Sequence, residues 1–164
     1  ARLRRLRTHG GVNEYEHLEF GINSRLDELQ AAVLNVKLPH LDKWSDERGR
    51  KAAVYDELLD DTSFELITPS LREDGRHIYH LYVVRIPDHR DALMEHLKQR
   101  GVGTKVYYPI PLHRQECFAY LGYKEGEFPE SEDAARETLA LPIYPELTET
   151  QQAYVIETIK SFKA

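Results

Sequence analysis

Leu26, Leu29, Val33 and Val36 follow one another at steps of three and four. That spacing makes one apolar helix face. Pro39 interrupts the run, because a residue without an N–H, with its ring against the preceding turn, kinks or ends a helix. The pattern resumes at Trp44 and continues through Ala52, Tyr55, Leu58 and Leu59, with a charged, solvated face between. Residues 24–60 are thus expected to form one long kinked helix or two helices meeting near Pro39. Ser24-Arg25-Leu26-Asp27 has capping-box spacing at its start, with Asp in the usual Glu place.

Ahead of this helix, Leu3 and Leu6 among Arg2, Arg4, Arg5 and Arg7 read as the end of a helix stopped by Gly10–Gly11. The arginines read as a solvated helix face. A chain opening on half a helix suggests a piece of a longer protein. Residues 12–22 form an irregular loop.

Beyond residue 60 the spacing shortens. Phe64–Ile67, Tyr79–Ile86 and Val102–Tyr108 are strand candidates, with a loop at Pro69–Gly75. Asp88-x-x-Asp91 is expected to cap a helix carrying Leu93, Met94 and Leu97 and stopping at Gly101. A short helix is expected at Gln115–Leu121. Another opens at Pro129 and turns Ala134, Ala135 and Leu139 inward. Leu141–Pro145 reads as extended, and Thr148-Glu149-Thr150-Gln151 as a capping box for a last helix. The fold class is α+β, a small sheet covered by helices with a long lead-in helix. Three parts follow: 1–23, 24–60 and 61–164.

Charged residues make up 30% of the chain and the net charge is −6, which argues against a nucleic-acid binder. No run of about 18 apolar residues exists, so no membrane span is expected. The single Cys117 cannot form an internal disulfide, which fits a reducing, cytoplasmic setting, and it is read as a packing residue. The eight His include His77 and His80 three apart, but strand positions three apart face opposite sides, and no metal site is expected. No GxSxG, Walker or GxGxxG motif occurs.

Two segments can carry polar chemistry. Gly21-Ile22-Asn23-Ser24-Arg25 leads toward a helix start, where free N–H groups and the helix dipole favour an anion. Asn23, Ser24 and Arg25 can all donate to a phosphate; equally, Asn23 or Ser24 can be a plain N-cap. In Tyr107-Tyr108-Pro109-Ile110-Pro111-Leu112-His113 two prolines hold Tyr107, Tyr108 and His113 in a rigid loop. These side chains can meet a polar ligand or pack a corner.

In order, Leu3–Gly10, Gly21–Ala32, Tyr79–Arg85, Tyr107–Gln115 and Leu141–Thr148 resemble motifs of the DegT/DnrJ/EryC1/StrS family of aminotransferases dependent on pyridoxal 5'-phosphate (PLP). The resemblance implies the C-terminal part of a fold-type I PLP-dependent transferase. It implies a homodimer that moves an amino group, usually from glutamate, onto a nucleotide-linked keto-sugar. Asn23 matches a residue on the PLP phosphate of the neighbouring subunit, and Arg25 one that contacts the sugar nucleotide. Tyr107 and Tyr108 match a substrate-facing pair, of which many members carry His first, and His113 lies near the same loop. The family's Schiff-base Lys and the Asp on the pyridinium nitrogen precede the Leu3–Gly10 motif. None of the eight Lys here stands at that place, so no residue of this chain is expected to be catalytic and the chain alone is expected to be inactive. Some members carry His at that position and eliminate a hydroxyl instead. A non-catalytic dimerisation or regulatory module is the remaining alternative.

Overall fold

The computed structural model describes residues 1–72 and 74–163. Glu73, inside the expected 69–75 loop, lies outside them. The chain divides into two compact units, residues 1–41 and 42–164.

The first unit holds α1 (Arg2–Leu6), α2 (Glu28–Lys37) and a 3₁₀ turn (Leu38–His40) that contains Pro39. The helix expected from residue 24 starts four residues later. Leu26 has φ +65°, a left-handed conformation that breaks any helix through it. The N-cap is therefore Asp27, whose carboxylate accepts from the Leu29 N–H at 2.9 Å, and Ser24 takes no part. The expected apolar face of α2 is bare: Leu29 is 79% exposed, Val33 56% and Val36 70%. Neither α1 nor α2 buries a residue.

All but the first residue of α3 (Leu41–Leu58) lies in the second unit; its Ala52 and Tyr55 are buried, as is Leu59 after it. Strand β1 (Tyr82–Arg85) pairs antiparallel with β2 (Thr138–Leu141), Tyr82 opposite Leu141 and Arg85 opposite Thr138. Outside β1, Ile67 bridges Arg85; outside β2, Lys105 bridges Ala140. The expected strands at 64–67 and 102–108 thus shrink to single bridges, and the one at 79–86 to four residues. The second full strand is one expected to be partly helix. All four of its residues are buried, so it lacks the alternation that marks a half-exposed strand.

Helices α4 (Arg90–Gln99) and α6 (Glu149–Lys160) supply Leu93, Leu97, Val155, Ile156 and Ile159 to the core around the strands. The Thr148–Gln151 capping box is present, with Thr148 Oγ1 accepting from the Gln151 N–H at 3.2 Å. The expected acidic cap of α4 is not: His89 holds the N-cap position without a side-chain bond. Helix α5 (Pro129–Glu137) ends where the Thr138 hydroxyl donates to Ala134 O at 2.6 Å. Gly101, at φ +74°, lies just past the end of α4. Cys117, expected to pack, is exposed on a 3₁₀ segment (Glu116–Leu121) that buries nothing.

Among the described residues, buried side-chain polar atoms are paired. Tyr55 Oη donates to Pro142 O at 2.9 Å, Tyr82 Oη to Asp56 Oδ1 at 2.6 Å, and Gln152 Nε2 to Lys51 O at 2.7 Å. Burial, first of all, pushes both phenols up in pKa, so each stays a neutral donor.

Leu139 is fully buried between its neighbours. Leu139→Ala is expected to cost about 3 kcal/mol, read as a lower urea midpoint at an unchanged slope. A loss below about 1 kcal/mol would contradict this account of the core.

Candidate functional site

The opening arginines form the exposed face expected of them, Arg2 being 75% exposed, and two of them also bind an acid. Arg2 Nε donates to Glu19 Oε2 at 2.8 Å, and Arg5 Nε and Nη2 to Glu19 Oε1 at 3.2 and 3.1 Å. The Arg2 hydrogen bond chiefly, then that of Arg5, holds the Glu19 carboxyl below its usual range. One carboxylate thereby fastens the loop to α1. Arg7 Nη2 donates to Arg25 O at 2.8 Å, and the Ser24 N–H to Arg7 O at 2.9 Å. Thr8 and Asn23 form an antiparallel bridge.

Two glycines permit this approach. Gly10 has φ +77°, and a Cβ there would stand 1.7 Å from Glu19 O. A Cβ on Gly21 would stand 2.2 Å from Gly10 N. Real atoms cannot meet so closely, so the loop closes only with bare backbone at both positions.

The result is an open groove of about 1010 Å³ lined by Arg7, Asn23, Ser24, Arg25 and the first turn of α2. The side chains of Asn23, Ser24 and Arg25 meet no partner among the described residues, and all three are exposed. The helix N-terminus lies beyond the Gly21–Arg25 segment, at Asp27–Glu28. Asp27 already covers its Leu29 N–H, and Glu28 follows, so its end carries negative charge of its own. Arg7 and Arg25 are the cations of this wall, and neither pairs with a carboxylate among the described residues. Arg7 and Glu19 were missed as parts of this site. Only the folded loop shows that they support it.

Tyr107 and Tyr108 belong to the second unit. Their peptide bond is cis and their rings meet edge to face, 5.7 Å apart at 88°. Lys105 Nζ lies 5.5 Å from the Tyr107 ring centre. Both tyrosines line a cavity of about 390 Å³ with Ile110, Pro111, Leu112, Gln115, Ser131, Ala134 and Ala135. His113 does not line it. Its Nε2 sits 3.0 Å from Glu132 Oε1, both side chains being largely buried, and its ring lies 4.7 Å from that of Phe128. Glu132 also accepts the Gly126 N–H at 2.9 Å on each oxygen. His113 is thus a brace for the loop rather than a ligand-facing group. Its partner Glu132 gave no sequence signal. His77, ahead of β1, turns back on its own segment, accepting the Tyr79 N–H at 3.0 Å. No group of three metal-binding side chains occurs among the described residues, and no helix is long and apolar enough to cross a membrane.

Residues 1–160 match the DegT/DnrJ/EryC1/StrS aminotransferase family. The chain belongs to this family. It is 51% identical over 162 residues to a "Pleiotropic regulatory protein" of Geobacillus stearothermophilus, covering 98% of this chain and 43% of that one. It is 40% identical over 161 residues to the dTDP-3-amino-3,4,6-trideoxy-alpha-D-glucose transaminase of Streptomyces venezuelae, covering 98% and 42%. The crystal structure of S. venezuelae DesV superposes with a TM-score of 0.91 at 40% identity, over 97% of this chain and 42% of that one. The chain therefore spans less than half the length of these relatives. Its solved neighbours are sugar aminotransferases, and the described residues form a small α+β piece with a two-stranded sheet.

Gly21→Ala is expected to free the loop. The amides of His9 and Ser24, bonded to Ile22 O and Arg7 O, would exchange hydrogen faster while those of α6 stay protected. Unchanged exchange at both would contradict the close approach. The Gly126 N–H chiefly, then His113, holds the Glu132 carboxyl below its usual pKa of 4.5. A lowered folded pKa means that the unfolded chain binds the proton first. The stabilisation is then present above pH 4.5 and fades as pH falls through the folded value. Wild type should exceed Glu132→Gln in urea midpoint at pH 7, with the gap closing below pH 4.5. A gap independent of pH would refute the assignment.

Proposed function

We propose that this chain is the C-terminal part of a PLP-dependent aminotransferase that acts on a nucleotide-linked keto-sugar, with glutamate as amino donor, as a cytoplasmic homodimer. The observation that carries the reading is the row of unpartnered donors Asn23, Ser24 and Arg25 in one groove, inside a family match over residues 1–160. The bare apolar face of α2 supports a further portion of protein packed against it, since an exposed patch of that kind is usually an interface.

The donor set fits a phosphate: an amide N–H, a hydroxyl and a guanidinium line one groove with the Arg7 guanidinium, which offsets the Asp27 and Glu28 carboxylates also in its wall. Asn23, with Ser24 beside it, would hold the phosphate of a PLP bound mainly by a second subunit. Arg25 would hold the sugar nucleotide through its diphosphate, and Tyr107 and Tyr108 would face the substrate. PLP supplies the electron sink for moving an amino group. The lysine that anchors it and the acid on its ring nitrogen would come from outside these residues. His113 keeps the substrate loop in place through Glu132.

The specific relatives divide on role. The transaminase of S. venezuelae supports catalysis, whereas the regulatory name of the relative at 51% identity supports a regulatory module. Elimination of a hydroxyl, as in a sugar dehydratase, is the third possibility.

The full polypeptide carrying these residues separates them. It is expected to convert a dTDP- or UDP-linked keto-sugar and glutamate to the amino-sugar and 2-oxoglutarate. Asn23→Ala should weaken PLP binding about tenfold, and Arg25→Ala should raise KM for the sugar nucleotide about tenfold with little change in kcat. Loss of a hydroxyl without amino transfer would establish the dehydratase, and neither reaction would leave the regulatory module.

A further inference from the structure

The outermost segment of the sheet, beside β2, has an open edge. Lys105 exchanges both backbone bonds with Ala140 of β2, donating at 3.3 Å and accepting at 2.8 Å. In an antiparallel ladder the residues on either side of such a pair turn their N–H and C=O groups the other way. Those residues are Thr104 and Val106, and none of their four backbone groups has a hydrogen-bond partner among the described residues. Burial alternates over the same stretch: Val102 is buried, Thr104 and Val106 are half-buried, and Gly103 and Lys105 are exposed. That is the pattern of an edge strand with one face on the core. What it lacks is a strand on its outer side.

The antiparallel register sets Gly103 toward Pro142 and Tyr107 toward Thr138. At the Gly103 end, opposite the tyrosine corner, lies a cavity of about 570 Å³. Val102, Pro142, Tyr144, Leu147, Tyr154 and Val155 are in its wall, and no charged residue is. Such a cavity suits an apolar side chain and not an ion. Charge lies beside it. Residues 98–105 hold Lys98, Arg100 and Lys105 and no acid, in a chain of net charge −6. Lys98 pairs with Glu95. Arg100 sits against His96 and Lys105 near the Tyr107 ring, and neither has a carboxylate partner among the described residues.

These features define one occupant. Open N–H and C=O groups along an edge accept an extended backbone, as in strand addition. The cavity takes an apolar side chain of that strand, and the basic stretch takes an acidic one. A second copy of this chain fits less well, because it would bring its own Lys105 to the edge and set like charges together. We propose that the 102–106 edge docks an extended acidic peptide segment of a partner protein. The segment adds a strand to the sheet outside Lys105 and places an apolar side chain in the cavity at Gly103. The surface is separate from the groove at Arg25 and from the tyrosine corner, so it does not rest on the reading of the reaction.

The test is fluorescence polarisation of labelled eight-residue peptides with the full polypeptide carrying these residues. One peptide alternates valine and glutamate and ends in phenylalanine. A second has lysine for each glutamate. A third is the first with every backbone amide N-methylated, which keeps the side chains and removes the donors. The acidic peptide is expected to bind about tenfold or more tightly than either of the others. When it binds, the amides of Thr104 and Val106 should gain protection from hydrogen exchange, while that of Lys105, already bonded to Ala140, should change little. Thr104→Pro removes one outward N–H at a place where an edge tolerates proline, and should weaken the acidic peptide about tenfold. Lys105→Glu should reverse the preference between the first two peptides. If the acidic peptide binds no better than its N-methylated form, or leaves Thr104 and Val106 unprotected, the docking edge is refuted. Failure of all three peptides to bind refutes it equally. A dimer that Thr104→Pro converts to monomer would assign the edge to a second copy and overturn the peptide partner.

Discussion

Residues 6–10 and 19–21 run so close together that neither Gly10 nor Gly21 has room for a side-chain carbon. The pairing of the first loop with α1 depends on this contact. With the backbones touching, Glu19 reaches Arg2 and Arg5, and Thr8 bridges Asn23. Arg7 then fixes the carbonyl of Arg25. The Arg25 backbone is held while its guanidinium is left unpaired. A cationic side chain on a rigid base with no internal acceptor is what an anionic ligand requires.

The unit that carries this groove buries almost nothing, and the second unit buries a great deal. Around β1 and β2, helices α3, α4 and α6 close a core with its polar atoms satisfied. The aromatic corner of Tyr107 and Tyr108 follows the bridge at Lys105, which ties its loop to the sheet edge. On the far side of the same loop, His113 and Glu132 brace it to α5. The tyrosines are therefore presented from a fixed frame.

Some of this was legible in the residues because it is local. The Thr148–Gln151 box is complete within four residues, and Pro39 dictates a break wherever it sits. The start of α2 was misplaced because Leu26 adopts a positive φ that no propensity assigns to leucine. Strand β2 was missed because full burial erases alternation. The strands at 64–67 and 102–108 were overestimated because β-branched and aromatic residues report a half-buried surface, not a paired backbone.

The sequence by itself determined the family, the α+β class and the residue types able to meet a phosphate, Asn23, Ser24 and Arg25. Those are properties of order and chemistry along the chain. Only the tertiary structure decided which of them are free. It assigned Arg2 and Arg5 to Glu19, gave the helix start to Asp27, withdrew His113 into its pair with Glu132, and left Arg25 and Tyr108 open. The reason is that a side chain's availability depends on partners distant in sequence. Arg5 lies 14 positions from Glu19, and His113 lies 19 from Glu132; spacing along the chain does not encode such meetings.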